Sequence, residues 1–328
     1  MANDDPNSQM AFDVTHGGRP HHVNTNADAP DPSVQSGLDA FFQSMCGSYH
    51  TPTGVVVVPT PFMMGRGYLD QRKFKANNDN KRAMARLAVT AGISQTALDR
   101  VQQARGTPDE IHALTQALID LQPDGMAVDD PVTSVSQPDD VRKLMHQHAI
   151  GIDCAGYVQQ AYLLATGRTR AQVGFVPNIL NEALFVLPQR GFARFTSVAA
   201  LRPGDIIEFN SPPDSDEPGH RTIVFDQRVA TDDHMNAILA ADRGPDFVGK
   251  ATVRVLEMDS SYGSGGYYRA GGVQRQTWIF NETSLEWAYL HLVDAWDTGS
   301  DPKRWAVDRI GALYAPDVLD GFYRRRGR

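Results

Sequence analysis

Apolar positions along this chain recur first at helical spacing and later at strand spacing. From Ser36, the residues Leu38, Phe41, Phe42 and Met45 fit a short helix ending near Gly47. Thr53–Pro59 is a β-branched run between turn formers and predicts an extended segment. Over 80–121 the spacing predicts a small helical bundle. Ala83, Leu87 and Ala91 share a face that stops at Gly92, and Ser94 caps a second helix carrying Leu98 and Val101. Thr107-Pro108-Asp109-Glu110 is a capping box with proline at the first helical position. It opens a third helix through Ile111, Leu114, Leu118 and Leu121. Asp139-Asp140 can cap a helix through Val141, Leu144 and Met145. After Cys154, the residues Val158, Ala161, Tyr162 and Ala165 recur on the face that carries the cysteine. Asn178–Leu187 is a further apolar helical stretch.

The pattern then changes. Leu201-Arg202-Pro203-Gly204-Asp205 is a turn leading into an alternating strand through Phe209, and Arg221–Phe225 reads as a second strand. Ala251–Met258 and Gly272–Phe280 read as a third and a fourth, and Ser284–Trp296 fits strand or helix. Helices first and strands later, with short connections, predict an α+β fold with an antiparallel sheet packed on helices. The divisions expected are a polar, loosely attached arm over 1–35, a helical module over 36–130 and a second domain over 139–328. A proline- and glycine-rich linker over 122–138 separates the last two. The apolar loop from Pro61 to Gly65 is expected to pack on that second domain.

Composition narrows the function. With 328 residues and a formal charge of −8, the chain lacks the basic face that nucleic-acid binding needs. The basic end Arg324–Arg328 reads as a solvated tail. Cys46 and Cys154 are the two cysteines, too few for a disulfide framework. The acidic start has no apolar core, so no signal peptide is expected, and no apolar run suits a membrane. The expectation is synthesis as a soluble cytoplasmic protein. His16, His21 and His22 read as solvated loop residues. No Cys/His set has zinc spacing, so neither metal nor cofactor is expected. The glycines at 263–266 and 271–272 lack the helix and lysine of a phosphate loop and read as a hairpin loop over a site mouth.

Cys154 is the centre of the candidate chemistry. A thiol in the first turn of a helix sits among unpaired N–H groups that favour a thiolate. A cysteine nucleophile also needs a base and a group to orient that base. His220, at the start of a strand that follows the Pro-Gly-Asp turn, is the candidate base. Glu257 and Asp259 have equal parity at the end of the next strand, and either is a candidate third residue. His234 is nearer in sequence but is framed by no strand pattern.

These residues carry a family resemblance over about 140–295. Asp153-Cys154-Ala155-Gly156-Tyr157-Val158 resembles the Asp-Cys-Ser-Gly-Phe-Val signature of the NlpC/P60 peptidases. Leu201–Ile207 resembles that family's Leu-x-Pro-Gly-Asp-Leu-Val segment, and Gly219-His220 with Ile223-Val224 resembles its Gly-His-Val-Gly-Ile strand. The resemblance implies a papain-like α+β core and cysteine-dependent hydrolysis of amides in cell-wall (peptidoglycan) peptides, typically between D-glutamate and diaminopimelate. Cys154 would be the nucleophile and His220 the base. Ala155 stands where the family has serine, which leaves Asp153 to meet a substrate amine. Tyr262 is a candidate to stack on the ligand. About 37 residues separate His220 from Glu257, so an insertion lies between them. His146-Gln147-His148 replaces the family's Tyr and Gly-Gly ahead of the cysteine, so a different pocket is expected.

With no signal peptide expected, the reading extends to an exported antibacterial effector with an immunity-protein partner and a secretion machine. The alternatives are an acyltransferase or deamidase on the same Cys–His framework, and a non-catalytic binding module with a decayed site.

Overall fold

The computed structural model describes residues 32–63, 74–121, 126, 128, 131–173, 191–209, 219–241, 243–262, 271–293, 304–310 and 319–325. The predicted helical segment at 178–187, the glycine-rich loop at 263–270 and the arm up to residue 31 lie outside them. The chain runs α1 (Pro32–Ser44), β1 (Cys46–Thr51), β2 (Gly54–Pro59), α2 (Asn78–Thr90), α3 (Gln95–Gln102), α4 (Pro108–Leu121), α5 (Pro138–Gln147), α6 (Cys154–Thr166), α7 (Arg170–Val173) and β3 (Phe192–Phe195). It continues as β4 (Ile206–Phe209), β5 (His220–Val229), α8 (Asp232–Ala240), α9 (Gly244–Val248), β6 (Val253–Tyr262), β7 (Gly272–Asn281), β8 (Trp287–Val293), β9 (Arg304–Ile310) and β10 (Leu319–Arg325). The fold is α+β.

The helices form where capping chemistry and apolar period coincide. Ser94 Oγ accepts from the Ala97 N–H at 3.2 Å and starts α3. At α4 the capping box is reciprocal: Glu110 accepts from the Thr107 N–H at 3.0 Å, and Thr107 Oγ1 accepts from the Glu110 N–H at 3.3 Å. Gly167, with φ 61°, ends α6 in the left-handed conformation that glycine adopts without strain.

The main sheet has eight strands in the order β3-β10-β4-β5-β6-β7-β8-β9, with antiparallel pairing throughout. β1 and β2 form a separate hairpin. Ser284–Trp296, which fitted strand or helix, contains β8. Arg324 and Arg325 of the basic end are not a solvated tail: they belong to β10, which sits between β3 and β4, and the remaining residues of that end lie outside the described residues. Arg324 grips Asp205 of the Pro-Gly-Asp turn through two hydrogen bonds, 2.8 and 2.6 Å, and lies over the Phe195 ring. Backbone pairing and a two-bond ion pair hold this segment despite its charge.

The two sheet faces are covered differently. On one, Ile206, Ile223, Phe225 and Val273 join the residues of α1–α6 in a single core that runs from Leu38 to Tyr323. Residues 36–130 and the Cys154 helix therefore share one core. Farther along the same face, Ile238 and Phe247 of the segment between β5 and β6 cover Val255, Ile279 and Leu290. That segment fills the stretch between His220 and Glu257, and it roofs the outer strands. The other face gathers Ile207, Phe209, Val224, Met258, Trp278, Phe280 and Trp287.

α6 is buried on nearly every side. α1 crosses it so closely that a Cβ on Gly37 would lie 2.6 Å from Ala165 Cα. In a helix, alanine normally gains up to about 1 kcal/mol over glycine. Here the obstacle is backbone, so overpacking outweighs that gain. Gly37→Ala is expected to destabilise by about 1–3 kcal/mol, read as a lower denaturant midpoint at unchanged slope.

Candidate functional site

The segment before Cys154 is clamped from two sides. Ile152 bridges Phe62 in parallel and Arg105 in antiparallel fashion. Its N–H donates to Pro61 O at 3.1 Å, and its carbonyl accepts from Met63 N at 3.1 Å and from Ser261 Oγ at 2.7 Å. The loop after β2 thus packs on the approach to the cysteine. Cys154 then begins α6, with Asp153 as its N-cap. Asp153 Oδ1 accepts from the Gly156 N–H at 2.7 Å and is ion-paired with Arg105 Nη1. A Cβ at Gly156 would collide with Ala104 O, so glycine is required where α6 meets the 104–106 turn. Gln160 holds that turn by donating to Arg105 O at 3.1 Å and Gly106 O at 2.7 Å. Arg105, which sequence reading did not single out, therefore ties the helical module to the start of α6. Ala155 is half-buried beside it and has no polar group to offer.

The thiol lies against β5 and is within hydrogen-bonding reach of the Arg221 N–H. Burial pushes its pKa up to about 11, and Asp153 adds to the rise; the Arg221 charge, the Arg221 N–H and Arg105 pull the other way. Desolvation therefore outweighs the helix-start field that favours a thiolate. Alkylation by iodoacetamide at pH 8 is expected to be about a hundredfold slower at Cys154 than at a small free thiol. The rate should climb past pH 10, because only the thiolate reacts; a profile levelling off near pH 8 would contradict this.

The register fixes which side chains face the thiol. His220 pairs with Phe209, and Arg221 pairs with Glu208. Directly opposed residues share a face, and neighbours along a strand alternate. His220 therefore shares Phe209's face, away from α6. Its imidazole stacks on Phe209 at 6.4 Å between ring centroids and tilts over Tyr262 at 4.8 Å. Nε2 is buried with no hydrogen-bond partner among the described residues. Burial, then the Arg221 charge, pushes its pKa down to about 4. Arg221 lies on the α6 side, ion-paired with Glu208.

The carboxylates lie elsewhere. Glu257 pairs with Asp226, six residues along β5 from His220, or about 20 Å. Its Oε1 accepts from Arg228 at 2.8 Å. Asp259 is opposite Ile223 on the α6 side and fully buried. Arg275 donates to both of its oxygens, at 2.7 and 2.9 Å, and also to Asp39 at 2.9 Å. Each of these carboxylates is committed to an arginine rather than to His220. Tyr262 touches His220 and not the α6 face; its hydroxyl donates to Met258 O at 3.4 Å. His148 is buried with Nδ1 2.8 Å from Leu144 O, and His234 caps α8 through Thr231.

The structure thus brings together Cys154, Asp153, Arg105, Arg221, Glu208 and Ser261. Of the residues singled out from sequence, Cys154 and Asp153 belong to this group. The missed arginines carried one signal: opposite charges at Glu208 and Arg221 fit a cross-strand pair. No cluster of His, Cys, Asp or Glu suited to a metal occurs among the described residues. No helix there is long and apolar enough to cross a membrane. Comparison with known protein families, curated proteins and solved structures finds nothing that matches this chain.

Proposed function

We propose that this chain is a cysteine-dependent amide hydrolase with a papain-like NlpC/P60 core, acting on cell-wall peptides through Cys154. One observation carries the reading: a capped helix presents a cysteine at its first position against the start of a central antiparallel strand. The Cys154 sulfur would attack the amide carbonyl, and the N–H groups at the start of α6 would receive the developing oxyanion. The thiol proton would pass to His220 and on to the amine as the C–N bond breaks, leaving a thioester. Water would then cleave the thioester, restoring the thiol and releasing the acid.

The resting electrostatics constrain this scheme. With burial raising the thiol and lowering the imidazole, moving the proton from one to the other is uphill in the resting site. A standing thiolate–imidazolium pair is therefore not part of the proposal. Turnover on this scheme requires His220 to be brought from the Phe209 face to the thiol during attack.

The separation of thiol and imidazole favours a second reading, a binding module without turnover. Incubation with purified muropeptides, followed by mass analysis, separates the two. Hydrolysis adds one water per cut and exposes one new amine. Intact muropeptides that nevertheless co-migrate with the protein support the binding module.

A further inference from the structure

β5 presents successive residues to opposite faces, and it is Arg221, not His220, that faces the Cys154 helix. Arg221 is mostly buried, held by Glu208 across the strand pair, and its own N–H is within reach of the thiol. Ser260 Oγ donates to Arg221 O at 2.7 Å and fixes the backbone there. A guanidinium stays protonated and, at an enclosed site, acts on a neighbouring sulfur through a weakly screened field.

We propose that Arg221 is the positioning residue that supports the Cys154 thiolate, with Glu208 as its brake. The charged groups around the thiol each have a direction. Asp153, at the cap, opposes a thiolate; Arg105 offsets Asp153 through their ion pair; Lys75 faces Asp153 as well. Arg221 is the cation that comes from the sheet side. Glu208 neutralises part of its charge, so loss of Glu208 strengthens Arg221's hold on the sulfur. The same charge would oppose protonation of His220 next to it, which keeps that imidazole in its base form. Its catalytic meaning rests on the hydrolase reading; the effect on the thiol does not.

The test is the pH profile of Cys154 alkylation by iodoacetamide in the full-length protein, read by mass on the Cys154 peptide. Arg221→Met should move the profile up by about one pH unit and slow the pH 8 reaction about tenfold, and Arg221→Lys should restore most of it. Glu208→Gln should move the profile in the opposite direction and speed the reaction. Unmoved profiles in Arg221→Met and Glu208→Gln would overturn the proposal. So would shifts in the same direction, because both substitutions would then merely open the site. Should Arg221→Met not fold, Arg221→Lys and Glu208→Gln still decide: the first should stay close to wild type while the second moves down. Because no substrate is used, a failed muropeptide digestion with intact opposite shifts would sink the hydrolase reading alone.

Discussion

Cys154→Ala is expected to lower muropeptide hydrolysis by at least about a thousandfold while leaving the protein folded. In the proposed hydrolase the covalent route runs only through that sulfur; what would remain is whatever the helix-start N–H groups do for direct attack by water. The fold should tolerate the change. Asp153 caps α6 through Gly156, not through Cys154, and the core contacts of α6 come from Tyr157, Val158, Ala161 and Tyr162. Loss of activity with an unchanged unfolding midpoint is the expected pair of readings. A collapse of both would assign Cys154 to packing.

The largest expected effect on stability is at Arg275. Its guanidinium neutralises a fully buried carboxylate at Asp259, reaches Asp39 on α1, and lies over the Phe225 ring at 3.4 Å and the Phe42 ring at 4.8 Å. Arg275→Met would keep much of the apolar contact and strand Asp259 without its counter-charge. That is worth about 3–5 kcal/mol of lost stability near neutral pH. Burial already raises the Asp259 pKa, and Arg275 opposes that rise. Without the arginine the folded-state value moves further up. A raised folded-state pKa gives stability that is present in acid and lost as pH rises through it. The deficit of Arg275→Met should therefore shrink on acidification from pH 7 toward pH 5, followed by denaturant titration. Adding Asp259→Leu should recover most of the loss, because an apolar pair of similar size needs no counter-charge.

These two sites differ in how far the sequence discloses them. Cys154 is legible because a local motif and a helical period meet there. The helices at 95–102 and 108–121 are legible for the same reason: Ser94, Thr107 and Glu110 act within one turn of themselves. β4 to β7 show themselves by alternation after turn residues. β10 does not, because Gly-Phe-Tyr-Arg-Arg has no apolar alternation, and its position depends on pairing with β3 and β4, far away in the chain. The face of His220 is hidden for a related reason. Ile223-Val224-Phe225 is apolar on both sides of β5, so its period does not say which side meets α6. Only the register with β4, which pairs His220 with Phe209, decides it. Asp259 points to the opposite face from His220, and its partner Arg275 lies on a strand that no local spacing connects to it.

The helix-start thiolate is a further instance. The sequence shows the N–H groups and the Asp153 cap but not the depth at which the sulfur is buried. Desolvation raises the thiol, and Asp153, which fixes the helix start, also opposes the negative charge beside it. The arginines that counter this come from two separate parts of the chain, Arg105 after α3 and Arg221 on β5.

The most direct test is an acid-quenched single turnover with a muropeptide substrate, followed by intact-protein and peptide mass analysis. The account predicts a transient acyl adduct on the Cys154 peptide that forms before the free acid appears and is absent from Cys154→Ala. Cleavage without that adduct, at a rate unchanged in Cys154→Ala, would contradict it.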